Sequence, residues 1–324
     1  MAAVTRWLTA PVPLGRVAAF RTLVYVFVIA DVLFFTHWVR AHAAIPGELY
    51  QPLLVGRLLP LPTPTAALVY GVFAGLLVTA AVAATGRWPR LTGALVAVLY
   101  FQWMIIAMSY GKVDHDRFAF LIALAVLPTI GRARHGDRTR SEATGWALRV
   151  VQLAVIATYF LAAWAKLRYG GLEWITSATL TWAIIRRGTF LAELLLALPW
   201  LLILAQLGIV LFELLSPLVF VLRERWQLRV VGFFYSFHLV TFAMITISFL
   251  PHLVAMASFL PLERVRPVVR TRAWLRRRRG AATPLGAGQH AGGGAAGHAV
   301  PVAGDQPVRR PGEAEHGPPR EESA

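Results

Sequence analysis

The chain has 324 residues, 57% of them hydrophobic and 15% charged, with a mean hydropathy of +0.59. Soluble domains sit near 45–50% apolar and ~25% charged, so an ordinary soluble domain is excluded and an all-α membrane protein is predicted: a polytopic helical bundle of about eight spans. The net charge of +16 is carried by arginines between apolar stretches and in one tail, a membrane-orientation pattern that argues against a nucleic-acid partner, and the absence of cysteine excludes disulfides, thiolate metal sites and cysteine nucleophiles.

The first span follows the basic, proline-punctuated start "RWLTAPVPLGR" and runs over 17–38. It is too long for a signal-peptide core and no small-residue cleavage site follows, so it reads as a retained helix. Further spans are predicted over 66–85, 91–110, 117–131, 146–166, 199–222, 229–248 and 251–262. The fourth and the last are short, which suits a tilted, half-buried or broken helix. Arginines cluster before the first span (Arg6, Arg16, Arg21), after the second (Arg87, Arg90), after the fourth (Arg132, Arg134, Arg138, Arg140), after the sixth (Arg223, Arg225, Arg229) and from Arg264 on. With eight crossings these fall on one side, which predicts both termini in the cytoplasm. The Ala/Arg/Gly/Pro-heavy usage points to a GC-rich bacterial genome, hence to a bacterial inner membrane.

Two segments on the opposite, outer side are not simple connectors. Residues 172–185 interleave Trp174, Leu180, Trp182 and Ile184 with Ser and Thr, as an interfacial or re-entrant helix would. Pro199, within "ELLLALPWLL", predicts a break between a short helix and the sixth span. Two domains result: a transmembrane domain over 1–262, and a tail over 263–324 that is basic, cytoplasmic and disordered, because its Gly, Pro and Ala residues lack apolar periodicity. The polybasic "RTRAWLRRRRG" at its start suits contact with anionic lipid headgroups.

An ionisable side chain inside a span is expensive and usually faces protein or a wet cavity. Asp31, Arg149, Lys166, Glu193, Glu213 and His238 are such residues, with Asp116 and Arg117 flanking the fourth span. Asp31 and Glu213 read as interhelical glue, with Arg21 or Arg149 as candidate partners. On the fifth span Arg149, Gln152, Tyr159 and Lys166 share one helix face, and the small Ala162 and Ala163 leave room beside it. Only two lysines occur, Lys112 and Lys166, against thirty arginines. Lys166 is open to two readings: an anchor that snorkels to the interface, or a general base, since an amine can lose its proton where a guanidinium cannot. "SYGKVDHDRF" (109–118) reads either as a solvated connector or as a turn placing His115 in the pocket as a proton-relay partner. His238 is either a satisfied buried histidine or part of the same site. No metal site is predicted, and no phosphate loop, dinucleotide fingerprint, GxSxG or HExxH motif is present.

Four stretches, "PLGRVAAFRTLVY", "DHDRFAF", "YFLAAWAKLRYGGLEW" and "FYSFHLVTFAMITISF", together resemble the HTTM family, the membrane domain shared with vitamin K-dependent gamma-carboxylase. The resemblance covers roughly residues 10–262, and its most specific element is Tyr-Phe-x-x-(small)-x-x-Lys-Leu followed by Trp. It implies a quinol-oxidising, carboxylase-like enzyme. A lysine deprotonates a hydroquinone, oxygen attacks, an epoxide forms, and the strong base produced removes a proton from a substrate glutamate. Carried over, Lys166 is the base, His115 its partner, and His238 matches a histidine on a later helix; Tyr159, Trp164, Trp174 and, from the shared helix face, Gln152 are expected to line the pocket with it. The carboxylase has two adjacent lysines where this chain has Ala165 and Lys166. The implied cofactor is a reduced menaquinone or vitamin K-type quinol. The implied partners are membrane lipid and a separately encoded soluble domain. The alternatives are a non-catalytic lipid-binding or scaffolding membrane protein, and a transporter.

Overall fold

The structure is a computed structural model and describes residues 2–264; of the tail expected over 263–324 only Glu263 and Arg264 are described, and the rest, including its polybasic segment, lies outside the described residues. The described chain is all-α apart from one two-residue ladder, β1 (Val12–Pro13) with β2 (Arg140–Ser141). Short α1 (Ala2–Leu8) precedes α2 (Leu14–Ala30), which continues through a π turn, Asp31–Phe35, closed by the Thr36 amide on the Asp31 carbonyl at 2.7 Å. Short α3 (Leu54–Leu58) leads to α4 (Ala66–Ala84), whose first turn is capped by Thr65 accepting from the Leu68 amide. α5 (Pro89–Met108) starts on a proline, where the missing N–H is harmless. α6 is Phe118–Val126 and α7 Glu142–Gly170, which ends at Gly171 with φ +58°, a backbone state that glycine adopts readily. Then come α8 (Glu173–Thr176), α9 (Thr179–Arg187), α10 (Phe190–Glu193), α11 (Pro199–Leu215), α12 (Glu224–Ile245) and α13 (Leu250–Met256).

Six helical runs are long and apolar enough to cross a membrane: 14–35, 66–84, 89–108, 142–170, 199–221 and 224–245. They coincide with six of the eight expected spans. The other two, 117–131 and 251–262, are short: α6 has nine residues before Pro128 enters a 3-10 turn, and the apolar helix 250–259 has ten. The two short helices pack on each other and on α7. Pro199 opens α11 after a 3-10 turn, so the expected break is there, and the 172–185 segment forms α8 and α9 rather than one helix.

Outward faces of the long helices carry exposed apolar side chains, among them Val78, Val98, Leu204 and Leu239, as lipid contact requires. Between helices in lipid there is little hydrophobic drive, so close packing and polar contacts hold them. Gly145 on α7 meets the backbone of Ala10, and a Cβ there would overlap the Ala10 carbonyl oxygen. Arg16 binds Glu263 through Nε at 2.8 Å and Nη2 at 2.7 Å, tying the start of α2 to the last described turn. The arginine-bearing turns lie close together at that end: Arg21 reaches Gly131, Arg140 reaches Pro11, and Arg264 pairs with Glu224.

Candidate functional site

Lys166 sits near the C-terminal end of α7, ~36 Å along the helix from Glu142 at 1.5 Å per residue. Its Nζ donates to both carboxylate oxygens of Glu213 on α11, at 2.6 and 2.5 Å, and lies 5.1 Å from the centre of the Trp174 ring. The Glu213 side chain is 8% exposed and that of Lys166 20%, so the pair is largely out of solvent. The α8–α9 segment is held down by Gln206, which donates through Nε2 to the carbonyls of Trp174, Ile175 and Ser177 and accepts from the Leu180 amide at 2.7 Å. That staple puts Trp174 against Lys166.

Two turns earlier on the same face, the Tyr159 hydroxyl meets His238 Nε2 of α12 at 2.6 Å. His252 of α13 stands edge-on to the Tyr159 ring, 4.9 Å between centres, and 5.5 Å from His238. His252 is 1% exposed, and both of its ring nitrogens, like His238 Nδ1, lack a hydrogen-bond partner. Buried polar atoms are nearly always paired, so three unpaired imidazole nitrogens on two side chains lining one space mark a place for a ligand or water.

That space is a cavity of about 120 Å³ lined by His115, Asp116, Tyr159, Ala162, Lys166, Glu213, His238 and His252. Two larger hollows adjoin it. One, of about 400 Å³, opens sideways between Phe118 and Leu161, both exposed, and is floored by Ala162, Ala165 and Lys166. The other, of about 700 Å³, runs past Lys112, Asp114, Arg117, Arg187 and Phe249. His115 lines all three. Ala165 borders the lateral hollow with only a methyl group.

The His115 turn is fixed from below. Arg117 Nη1 donates to Asp31 Oδ2 at 2.8 Å and to the Tyr100 hydroxyl at 2.7 Å; Tyr100 donates to the same carboxylate oxygen at 2.9 Å, and Thr36 reaches it at 3.2 Å. Trp103 Nε1 donates to Thr36 at 3.0 Å. The π turn of α2 places Asp31 for this network, a common use of such bulges. Asp116, between His115 and Arg117, has its carboxyl pushed above the usual range by burial, which the adjacent Arg117 only partly offsets.

Of the residues expected at the site, Lys166, His115, Tyr159 and His238 line the central cavity, and Trp174 covers Lys166. Two lie elsewhere. Trp164 is 56% exposed, because two residues from Lys166 is ~200° around an α-helix. Gln152 is buried but donates to the Ser258 carbonyl at 2.9 Å, ~21 Å from Lys166 along α7, so it joins helices rather than lining the pocket. Arg149 stacks on Trp7, and Arg21 donates to the Ile130 and Gly131 carbonyls, so neither is the partner of Asp31 or Glu213; Arg117 and Lys166 are. Glu193 is exposed. His252 and the role of Glu213 beside Lys166 were not foreseen. The signal for His252 was its position as an ionisable group in an apolar helix. Among the described residues no cluster of three or more His, Cys, Asp or Glu is arranged to hold a metal ion.

No family model, no curated protein and no solved structure matches the chain. What fold and composition define is a class: an all-α, membrane-embedded protein with six helices long and apolar enough to cross a bilayer. Within it sits a largely buried Lys–Glu pair in a small cavity, with His115 lining that cavity and both adjoining hollows.

Proposed function

We propose that the protein binds an isoprenoid quinol at the Lys166 cavity and deprotonates it for an oxygen-dependent, carboxylase-like reaction. One observation carries the reading: the Lys166–Glu213 pair stands where a histidine-lined polar cavity meets an apolar hollow that opens sideways. A quinol has a hydroxylated ring and a long apolar chain, matching the two hollows in order. The unpaired nitrogens of His252 and His238 offer hydrogen-bond partners to its oxygens. Bound there, a quinol supplies an electron-rich ring that oxygen oxidises once it is deprotonated, one quinol and one oxygen giving one epoxide and one water.

The chain's own groups handle the proton. A lysine salt-bridged to glutamate is already an ammonium, so the net transfer is from a phenolic hydroxyl of ordinary pKa about 10 to a carboxylate of about 4.3, uphill by about six units until oxidation of the ring draws it forward. Lys166 therefore passes one proton to Glu213 and takes one from the ring hydroxyl, remaining as the ammonium that faces the negative ring oxygen. Glu213 is the net acceptor, His115 at the cavity mouth exchanges the proton with solvent, and Trp174 shields the ammonium. In this proposal the arginine-bearing end faces the cytoplasm of a bacterial inner membrane, menaquinol is the quinol, and a separately encoded soluble domain presents any second substrate.

The test is oxygen uptake by the purified protein after anaerobic mixing with menaquinol, with mass analysis of the quinone product. An epoxide absent from Lys166→Arg and Glu213→Gln supports the proposal; quinol binding and turnover unchanged in both variants sinks it. A second reading, a non-catalytic lipid-binding protein, draws on the same pair. Nζ gives two hydrogen bonds to Glu213 and stacks on Trp174, as a structural clamp would. It requires ring binding without oxygen uptake and tolerance of Lys166→Arg.

A further inference from the structure

At the arginine-bearing end, a cavity of about 480 Å³ lies between α2, the α4–α5 turn and the segment after α6, lined by Arg21, Arg87, Trp88, Arg132, Arg134 and His135. A hollow of about 530 Å³ adjoins it, sharing Trp88 and Arg132 and bordered by Pro89 and Leu91. Among the described residues, no carboxylate forms an ion pair with Arg87, Arg90, Arg132 or Arg134. Asp137, in the same segment, accepts from the Thr139 amide at Oδ1, 2.9 Å. His135 is steadied by a 3.0 Å contact with Thr22.

Arg21 adds a second, independent sign. It is 2% exposed and spends Nη2 on the carbonyls of Ile130 and Gly131, at 3.0 and 3.2 Å, while its Nε has no partner. A buried guanidinium left short of one partner is costly unless a negative charge stands near it. It lines the same cavity as the exposed arginines. Beside them the Trp88 ring is 66% exposed and Leu91 61% exposed, an apolar flank next to a cationic basin.

We propose that this cavity is a binding site for a phosphoryl anion, supplied by the headgroup of an anionic glycerophospholipid. Arg87, Arg132 and Arg134 hold the phosphate, since guanidinium forks match its oxygens, and the buried guanidinium of Arg21 adds positive charge behind them. An acyl chain lies along Trp88 and Leu91 in the adjoining hollow. The site is separate from the Lys166 cavity and does not depend on any chemistry there.

The test is lipid retention by native mass spectrometry together with the thermal midpoint of the detergent-purified full chain, measured with phosphatidylglycerol, phosphatidylcholine and inorganic phosphate. The expected result is phosphatidylglycerol binding roughly ten- to thirtyfold tighter than phosphatidylcholine, a preference lost in Arg87→Gln/Arg132→Gln. Both side chains are exposed, so the variant keeps its fold, and Arg225→Gln serves as the control that retains the preference. Phosphate alone stabilising the wild type as much as phosphatidylglycerol, but not the double variant, upholds the phosphoryl site with free phosphate as its source. Equal binding of the two lipids with no phosphate effect overturns the proposal, as does a phosphatidylglycerol preference unchanged in the double variant.

Discussion

Lys166 on α7 and Glu213 on α11, forty-seven residues apart, face each other with Nζ 2.6 and 2.5 Å from the two carboxylate oxygens. Breaking a buried pair by removing one partner leaves an uncompensated charge, typically at about 3–5 kcal/mol. Lys166→Met and Glu213→Leu should each lower stability by that order, whereas Lys166→Met/Glu213→Leu together should recover most of the loss. A double-mutant cycle on thermal midpoints decides it; additive losses would show that the pair is solvated rather than coupled.

Asp31 and Arg117 predict a different pattern, because Asp31 Oδ2 also serves Tyr100 and Thr36. Asp31→Asn should destabilise by about 3 kcal/mol or more. It should also free the turn that carries His115, seen as faster amide hydrogen exchange over 114–118. Unchanged exchange there would mean that the network does not position His115.

Gly145→Ala tests packing alone. The added methyl would meet the Ala10 carbonyl, so α7 and the segment just after α1 must separate, at about 1–3 kcal/mol. The readout is the thermal midpoint together with protease cutting near residue 10, which should quicken; no change in either would place residues 9–10 away from α7.

Glu263 sets an acid limit. Burial would raise its carboxyl, but the hydrogen bonds from Arg16, a backbone hydrogen bond and the charges of Arg16 and Arg264 together outweigh burial and hold it below the ordinary carboxylate value. A depressed folded-state value means stability present above the unfolded carboxylate pKa and lost as pH falls through the lower, folded one. Stability should therefore decline below about pH 4, the ordinary glutamate range. Glu263→Gln should flatten that decline, and an equal acid slope in the variant would assign the acid sensitivity to another group.

Much of this was readable from residue order. Composition and apolar runs of about twenty residues placed the six long helices, because a bilayer demands uninterrupted apolar length and internally bonded backbone. Helical periodicity put Tyr159 and Lys166 on one face, and the scarcity of lysine singled Lys166 out. The same periodicity, applied to a seven-residue step, extended the face to Gln152, whose partner is the distant Ser258 carbonyl.

Partner choice was not readable. Asp31 could be matched to several arginines on charge alone, and only the π turn of α2 and the packing of α5 brought Arg117 to it. Glu213 looked like glue until α11 set it against Lys166, and His252 acquired meaning only when short α13 folded beside α7 and α12. The division has a physical cause. Membrane insertion and helix formation depend on local composition and spacing, which a chain carries along its length. Which buried charges meet depends on helix rotation, tilt and depth, and those are fixed only when every helix packs against its neighbours.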